Sequence, residues 1–183
     1  MSKVLGVDVD LTVVDTGVSW FNWLNNVCLS NKEMPEGTTE YDLTKYFSEE
    51  LKGKDGYEYF RHTGVYDTLR PIAGSVDVLT NLSSNYEVVF ISQVKGNHSK
   101  SKVEFIKRYF PFYSGIVFTK EKHHVAVDIM VDDRVKFLNQ FGDDVKKVLF
   151  KTNYIQDAIP QGDIIDDRDW ETQYQSRKER TLK

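Results

Sequence analysis

Cysteine is nearly missing from this chain. Cys28 stands alone among 183 residues, so no intrachain disulfide can form and the fold must rest on packing. Its neighbours Val27 and Leu29 suit a buried thiol or an ordinary helix position better than a nucleophile, and a reducing compartment, the cytoplasm, is the expected setting. No apolar run approaches the roughly 18 residues that a membrane helix requires, and the N-terminus lacks a basic stretch leading into an apolar signal core, so neither a membrane span nor export is expected. An excess of positive charge is missing too. The net charge of −4 and pI near 5.6 argue against an extended nucleic-acid surface, which would need clustered Lys and Arg. The basic C-terminal run "SRKERTLK" reads as a solvated tail. Small charged molecules remain as partners, and a homodimer stays open. His123 and His124 have no companions at metal-ligand spacing and read as loop residues.

What is present is a set of strand-length apolar runs. They are "KVLGVD" (3 to 8), "EVVFIS" (87 to 92), "GIVFT" (115 to 119), "DIMVDD" (128 to 133) and "KKVLFKT" (146 to 152). They are rich in Val, Ile and Phe without polar alternation, the pattern of strands covered on both faces of a parallel sheet. Between them, "SVDVLTNLSS" (75 to 84) and "SKSKVEFIKRYF" (99 to 110) space their apolar residues at helical intervals. Alternation of this kind predicts an α/β fold, a Rossmann-like open parallel sheet with helices on both faces. Ligands of such sheets bind outside the carboxyl ends of the strands.

The stretch 17–69 breaks the rhythm. "VSWFNWLNNVCL" (18 to 29) looks helical, a loop with Pro35 and Gly37 follows, and one or two further short helices are expected before the return at "LRPIAG" (69 to 74). Ten aromatic residues lie between Trp20 and Tyr66. This is read as a small helical cap inserted after the first strand, with residues 1–16 and 70–183 forming the core. Most of those rings are expected to build the cap's own interior.

Polar residues collect at the predicted strand ends: Asp8 and Asp10 after the first, Ser92 after the second, Asp132 and Asp133 after the fourth. Lys102 lies ten residues beyond Ser92, where it could swing back toward the sheet edge. A single Asp at a strand end is an ordinary turn former or helix cap. Two acidic pairs flanking one edge are different. Like charges about 4 Å apart repel by about 4 kcal/mol at an effective dielectric near 20, so the cluster needs a cation or a proton. An all-oxygen set without His or Cys favours Mg²⁺.

These residues resemble a known family. "VDVDLT" is similar to the DxDx(T/V) signature of the haloacid dehalogenase (HAD) superfamily, "VFIS" to its second-strand Ser/Thr, Lys102 to its lysine and "IMVDD" to its closing acidic pair. The resemblance implies the HAD fold and phosphoryl transfer through an aspartyl intermediate. Asp8 would be the nucleophile. Asp10 would be general acid and then base, with its carbonyl on the metal. Asp8, Asp10 and Asp132 would be the protein's metal ligands, with Asp133 a second ligand or an orienting group. Ser92 and Lys102 would hold the transferring phosphoryl, Lys102 also balancing Asp8. Four carboxylates, one Mg²⁺ and Lys102 leave one negative charge, so Asp10 is expected to be protonated.

The run from "VFISQVKGNHSKSKVEFIKRYF" through "FTKEK" to "DIMVDDR" is similar, more closely, to the 5'(3')-deoxyribonucleotidases, as is "LRPIAGSVDVL". Asp15 falls where that family has an aspartate, and Lys122 aligns with its lysine on the turn after the third strand, as a phosphate-binding group. Leu11 stands where Gly is common, Thr12 where Val is frequent, and Thr16 where a substrate-contacting ring is expected, so Trp20 or Phe21 is the candidate to line the substrate pocket. The implied activity is Mg²⁺-dependent hydrolysis of (deoxy)nucleoside monophosphates. A HAD phosphatase for a sugar phosphate or a nucleic-acid 3'-phosphate, and a non-catalytic module of the same fold, are the alternatives.

Overall fold

The computed structural model describes residues 2–94, 96–167 and Trp170. The basic run at the C-terminus lies outside the described residues. Strands β1 (Lys3–Val7), β2 (Tyr86–Ser92), β3 (Gly115–Phe118), β4 (Ile129–Asp132), β5 (Lys146–Phe150) and β6 (Ile164–Asp167) form one sheet in the order β3-β2-β1-β4-β5-β6. Every pairing is parallel. Helices α1 (Thr16–Cys28), α2 (Ser48–Leu51), α3 (Ser75–Ser83), α4 (Ser99–Tyr109) and α5 (Val135–Leu138) complete it, with 3₁₀ turns at Leu43–Phe47, Glu58–Arg61 and Lys122–His124.

The unbroken apolar runs become strands because both faces of the sheet are covered. Alternate residues point to opposite sides. Leu5, Val7, Val88, Phe90, Ile129 and Val131 pack with Val78 and Leu79 of α3 and Phe105 and Ile106 of α4. Ile91, Met130 and Leu149 face the other way, onto Val135 and Leu138 of α5. Removing a fully buried Phe or Leu from such a core costs about 2–5 kcal/mol. β6 escaped the sequence reading because "IIDD" offers only two apolar residues. Its pairing with β5, from Lys147↔Ile164 to Phe150↔Asp167, is what makes it a strand.

Chain order steps outward from β1 to β3, then returns on the other side of β1 with β4. The carboxyl ends of β1 and β4 therefore flank the point where strand order reverses, the crevice in which open α/β sheets place ligands.

Between these strands the chain makes an excursion. It leaves beyond Val14 and rejoins at Pro71, where the two residues form a bridge and the Ile72 amide donates to the Val13 carbonyl at 2.8 Å. Helix α1 starts sharply because Asp15 caps it, accepting from the amides of Gly17 (2.9 Å) and Val18 (3.2 Å). Its inner face, with Trp20, Phe21 and Leu24, meets rings from the short elements that follow: Phe21–Phe47 centroids are 5.0 Å apart, and so are Trp20–Phe60. Gly17 is required by the approach of the loop after β5. A Cβ there would stand 1.8 Å from the Tyr154 hydroxyl. No helix among the described residues is long and apolar enough to cross a membrane.

Candidate active site

Register delivers the acidic residues. β1 pairs with β4 through Val7↔Val131, so the next residue on each strand, Asp8 and Asp132, emerges side by side. Asp133 follows at once. Carboxylate oxygens of Asp8, Asp132 and Asp133 lie within 4.8 Å of one another, and all three residues are buried. Asp10 stands further out, its side chain 31% exposed, at the start of a tight turn in which the amides of Val13 and Val14 donate back to the Val9 carbonyl. Leu11 takes the left-handed conformation there, at φ +59°. That is where glycine would be free of strain.

Two buried lysines divide the cluster. Lys122, on the 3₁₀ turn after β3, donates to Asp132 Oδ2 at 2.6 Å and lies 2.9 Å from Asp8 Oδ1. Lys102, from the first turn of α4, donates to Asp10 Oδ2 (2.7 Å), Ser92 Oγ (2.8 Å) and the Gln93 carbonyl (3.1 Å). The expected pairing of Lys102 with Asp8 is therefore corrected. Lys102 rises from the β2 side and meets Asp10, while Lys122 lies between β1 and β4 and meets Asp8. Tyr66 donates to the other Asp10 oxygen. Asp133 accepts from the Tyr41 hydroxyl at 2.9 Å, and Asp132 Oδ1 from the Arg134 amide at 2.9 Å.

These contacts set the charge states. Burial, with Asp132 and Asp10 nearby, lifts Asp8 to about 6 despite Lys122. Burial, with Asp132 and Asp8 nearby, pushes Asp133 well above the usual range. Asp10 goes the other way: burial would raise it, but Lys102 and the Tyr66 hydroxyl together hold it low. In the free protein Lys102 and Tyr66 thus favour the carboxylate form of Asp10. Lys122 adds a second ammonium to the cluster. With both lysines counted, four carboxylates and two ammoniums leave −2, which one divalent cation neutralises. The all-oxygen donor set and the elevated Asp8 and Asp133 fit such an ion, since the repulsion that raises them is what a cation relieves.

Over this edge opens a cavity of about 370 Å³ whose floor is Asp8, Asp10, Lys122 and Asp133 and whose walls include Trp20, Tyr41, Tyr57 and Phe60. That size lies in the range of small-ligand clefts, about 300–1,000 Å³. Of the two candidate pocket rings, Trp20 lines the cavity, with its indole N–H fixed on the Gly56 carbonyl at 2.8 Å. Phe21 does not. It is 2% exposed and packed on Phe47 and Tyr46, because consecutive helical residues point about 100° apart. Sequence reasoning missed Tyr66, Tyr41 and His98. Their positions carry no spacing signal, since each reaches the site from an irregular segment.

Comparison with known proteins agrees with this geometry. Residues 2–170 match the family described as 5' nucleotidase, deoxy (pyrimidine), cytosolic type C protein. A 5'(3')-deoxyribonucleotidase of Bacillus subtilis is 29% identical over 160 residues, 82% of this chain and 86% of its own. One of Clostridium acetobutylicum is 28% identical over 174 residues, covering 91% and 89%. Among solved structures, a HAD-hydrolase of Bacillus subtilis bound to magnesium superposes with a TM-score of 0.62 at 14% identity, over 97% of this chain and 99% of that one. A HAD-superfamily hydrolase of Ehrlichia chaffeensis gives 0.57 at 11% identity, over 98% of each. At such identities these two speak to the fold.

Proposed function

Since the chain belongs to the deoxy (pyrimidine), cytosolic type C family of 5' nucleotidases and is a phosphoric monoester hydrolase, we propose that it hydrolyses (deoxy)nucleoside monophosphates with Asp8 as nucleophile and Mg²⁺ as the cation. The observation that carries this is the buried Asp8, Asp132 and Asp133 cluster, floored against Lys122 and open to an aromatic-walled cavity.

In this reading the Asp8 carboxylate attacks phosphorus and forms an aspartyl phosphate, which water then hydrolyses. Asp8, the Asp10 main-chain carbonyl and Asp132 would hold Mg²⁺, with Asp133 orienting the set. When bound, the ion supplies neutralising charge and polarises a phosphate oxygen. Ser92 and Lys102 receive the phosphoryl oxygens. Lys122 keeps Asp8 and Asp132 apart in charge and aims Asp8. Asp10 hands a proton to the leaving oxygen and later takes one from water; a phosphoryl on Lys102 draws that ammonium off Asp10 and lets its affinity for a proton rise. The excursion from residue 17 to 69 acts as the cap, presenting Trp20, Tyr57 and Phe60 to the nucleoside. The lone Cys28 suits a reducing cytoplasm.

Phosphate release from a panel of nucleoside monophosphates, sugar phosphates and a 3'-phosphorylated oligonucleotide tests the reading. Nucleoside monophosphates are expected to lead, with activity abolished by EDTA and restored by Mg²⁺. A stronger rate on sugar phosphates, or turnover persisting in excess EDTA, would reject it.

A further inference from the structure

The segment 93–98 carries a group that the steps above leave unused. His98 is 2% exposed and lines the cavity. Its Nδ1 lies 2.6 Å from the Phe60 main-chain carbonyl. A carbonyl only accepts, so Nδ1 bears the hydrogen, and the neutral ring presents Nε2 as an acceptor. Burial, with Lys102 nearby, holds His98 below the usual range and favours that neutral form. With Nδ1 engaged by Phe60, Nε2 is the ring nitrogen that can accept from a ligand.

The Phe60 carbonyl is approached from a second direction as well. Gly96, at φ +130°, passes so close to the same Phe60 carbonyl that a Cβ would stand 2.8 Å from its oxygen. On the other side the imidazole lies 5.9 Å, centroid to centroid, from Tyr66, whose hydroxyl is on Asp10. The imidazole is therefore one ring away from Asp10, the carboxylate set against the leaving oxygen in the mechanism above.

We propose that His98 is a specificity-determining residue whose Nε2 accepts a hydrogen bond from a sugar hydroxyl of the departing nucleoside. This rests on the nucleotidase reading above. A phosphate dianion cannot be the partner, because its oxygens too only accept. Atoms within a few bonds of the ester oxygen belong to the sugar, and the donors on a sugar are hydroxyls.

A double-mutant cycle between protein and substrate tests it, comparing kcat/KM of wild type and His98→Asn on a deoxynucleoside 5'-monophosphate and on its 2',3'-dideoxy counterpart. Asparagine keeps an amide N–H for the Phe60 carbonyl but has no atom where Nε2 stood. Wild type is expected to lose about tenfold on the dideoxy substrate, chiefly in KM, and His98→Asn less than about twofold, since its missing acceptor has already removed that bond. Equal losses in both proteins, or no loss in wild type, would overturn the assignment. Should the asparagine variant fail to fold, His98→Gln replaces it, its amide oxygen standing near the Nε2 position. Retention of the dideoxy penalty supports the role, and loss of the penalty in a folded glutamine variant overturns it. If wild type turns over p-nitrophenyl phosphate but neither nucleotide, the nucleotidase reading fails and this inference with it.

Discussion

The carboxyl edge of the sheet and the excursion above it are held together by opposite means. At the edge, charges are buried and paired across strands: Lys102 is 0% and Lys122 2% exposed, each bonded to residues from different elements. In the excursion, charges lie outside, as in Lys45–Glu40 and Arg61–Glu58, and the interior is aromatic. Exposed pairs contribute about 0–1 kcal/mol, whereas stripping one partner from a buried pair costs about 3–5 kcal/mol. The edge is thus fixed in geometry and intolerant of change. The excursion depends on ring packing, and it touches the charged edge through a few side chains such as Tyr41 on Asp133 and Tyr66 on Asp10.

Five substitutions would break or sharpen that contrast. The largest effect belongs to Asp8→Asn, which removes the nucleophile while keeping the shape. Phosphate release should fall on the order of a thousandfold or more, with an unchanged circular dichroism spectrum; substantial turnover would move the nucleophile elsewhere. Lys122→Met comes next. It leaves Asp8 and Asp132 facing each other, so unfolding free energy in denaturant should drop by about 3–5 kcal/mol, and millimolar Mg²⁺ should recover part of it by replacing the ammonium. No loss of stability would mean the pair is dispensable.

Third, the excursion separates into packing and contact. Phe21→Ala should cost about 3–5 kcal/mol of stability with little change in kcat/KM of the folded fraction. Tyr57→Ala, at a cavity wall and 42% exposed, should leave the melting temperature near wild type and raise KM about five- to tenfold, as loss of a stacked ring would. Similar behaviour of the two variants would erase the distinction. The smallest effect is Leu11→Gly. It relieves about 1–2 kcal/mol of left-handed strain and returns part of that in chain entropy, so stability should change by less than about 1 kcal/mol in a melting experiment.

Legibility in the sequence follows the same division. β1 to β5 were visible because strands buried on both faces need continuous apolar runs. The residues at their ends could be listed for the same reason, and the structure brings Asp8, Asp10, Ser92, Lys102, Asp132 and Asp133 to one edge. Which lysine meets which carboxylate was not visible, because that depends on strand order and on a 3₁₀ turn around Lys122. Nor could the rings be assigned. Trp20 and Phe21 are equally aromatic neighbours, and only the placement of α1 decides which one reaches the cavity.

One contact links the two ends of the chain. The buried Trp170 donates its indole N–H to the Thr12 carbonyl at 2.8 Å and stacks on Phe150 at 5.4 Å, and so braces the turn that begins at Asp10. During synthesis, the first dozen residues leave the ribosome long before this brace exists. The bridge of Val14 to Pro71 can close this turn as soon as Pro71 has emerged, and the indole adds its bond to Thr12 only a hundred or so residues later.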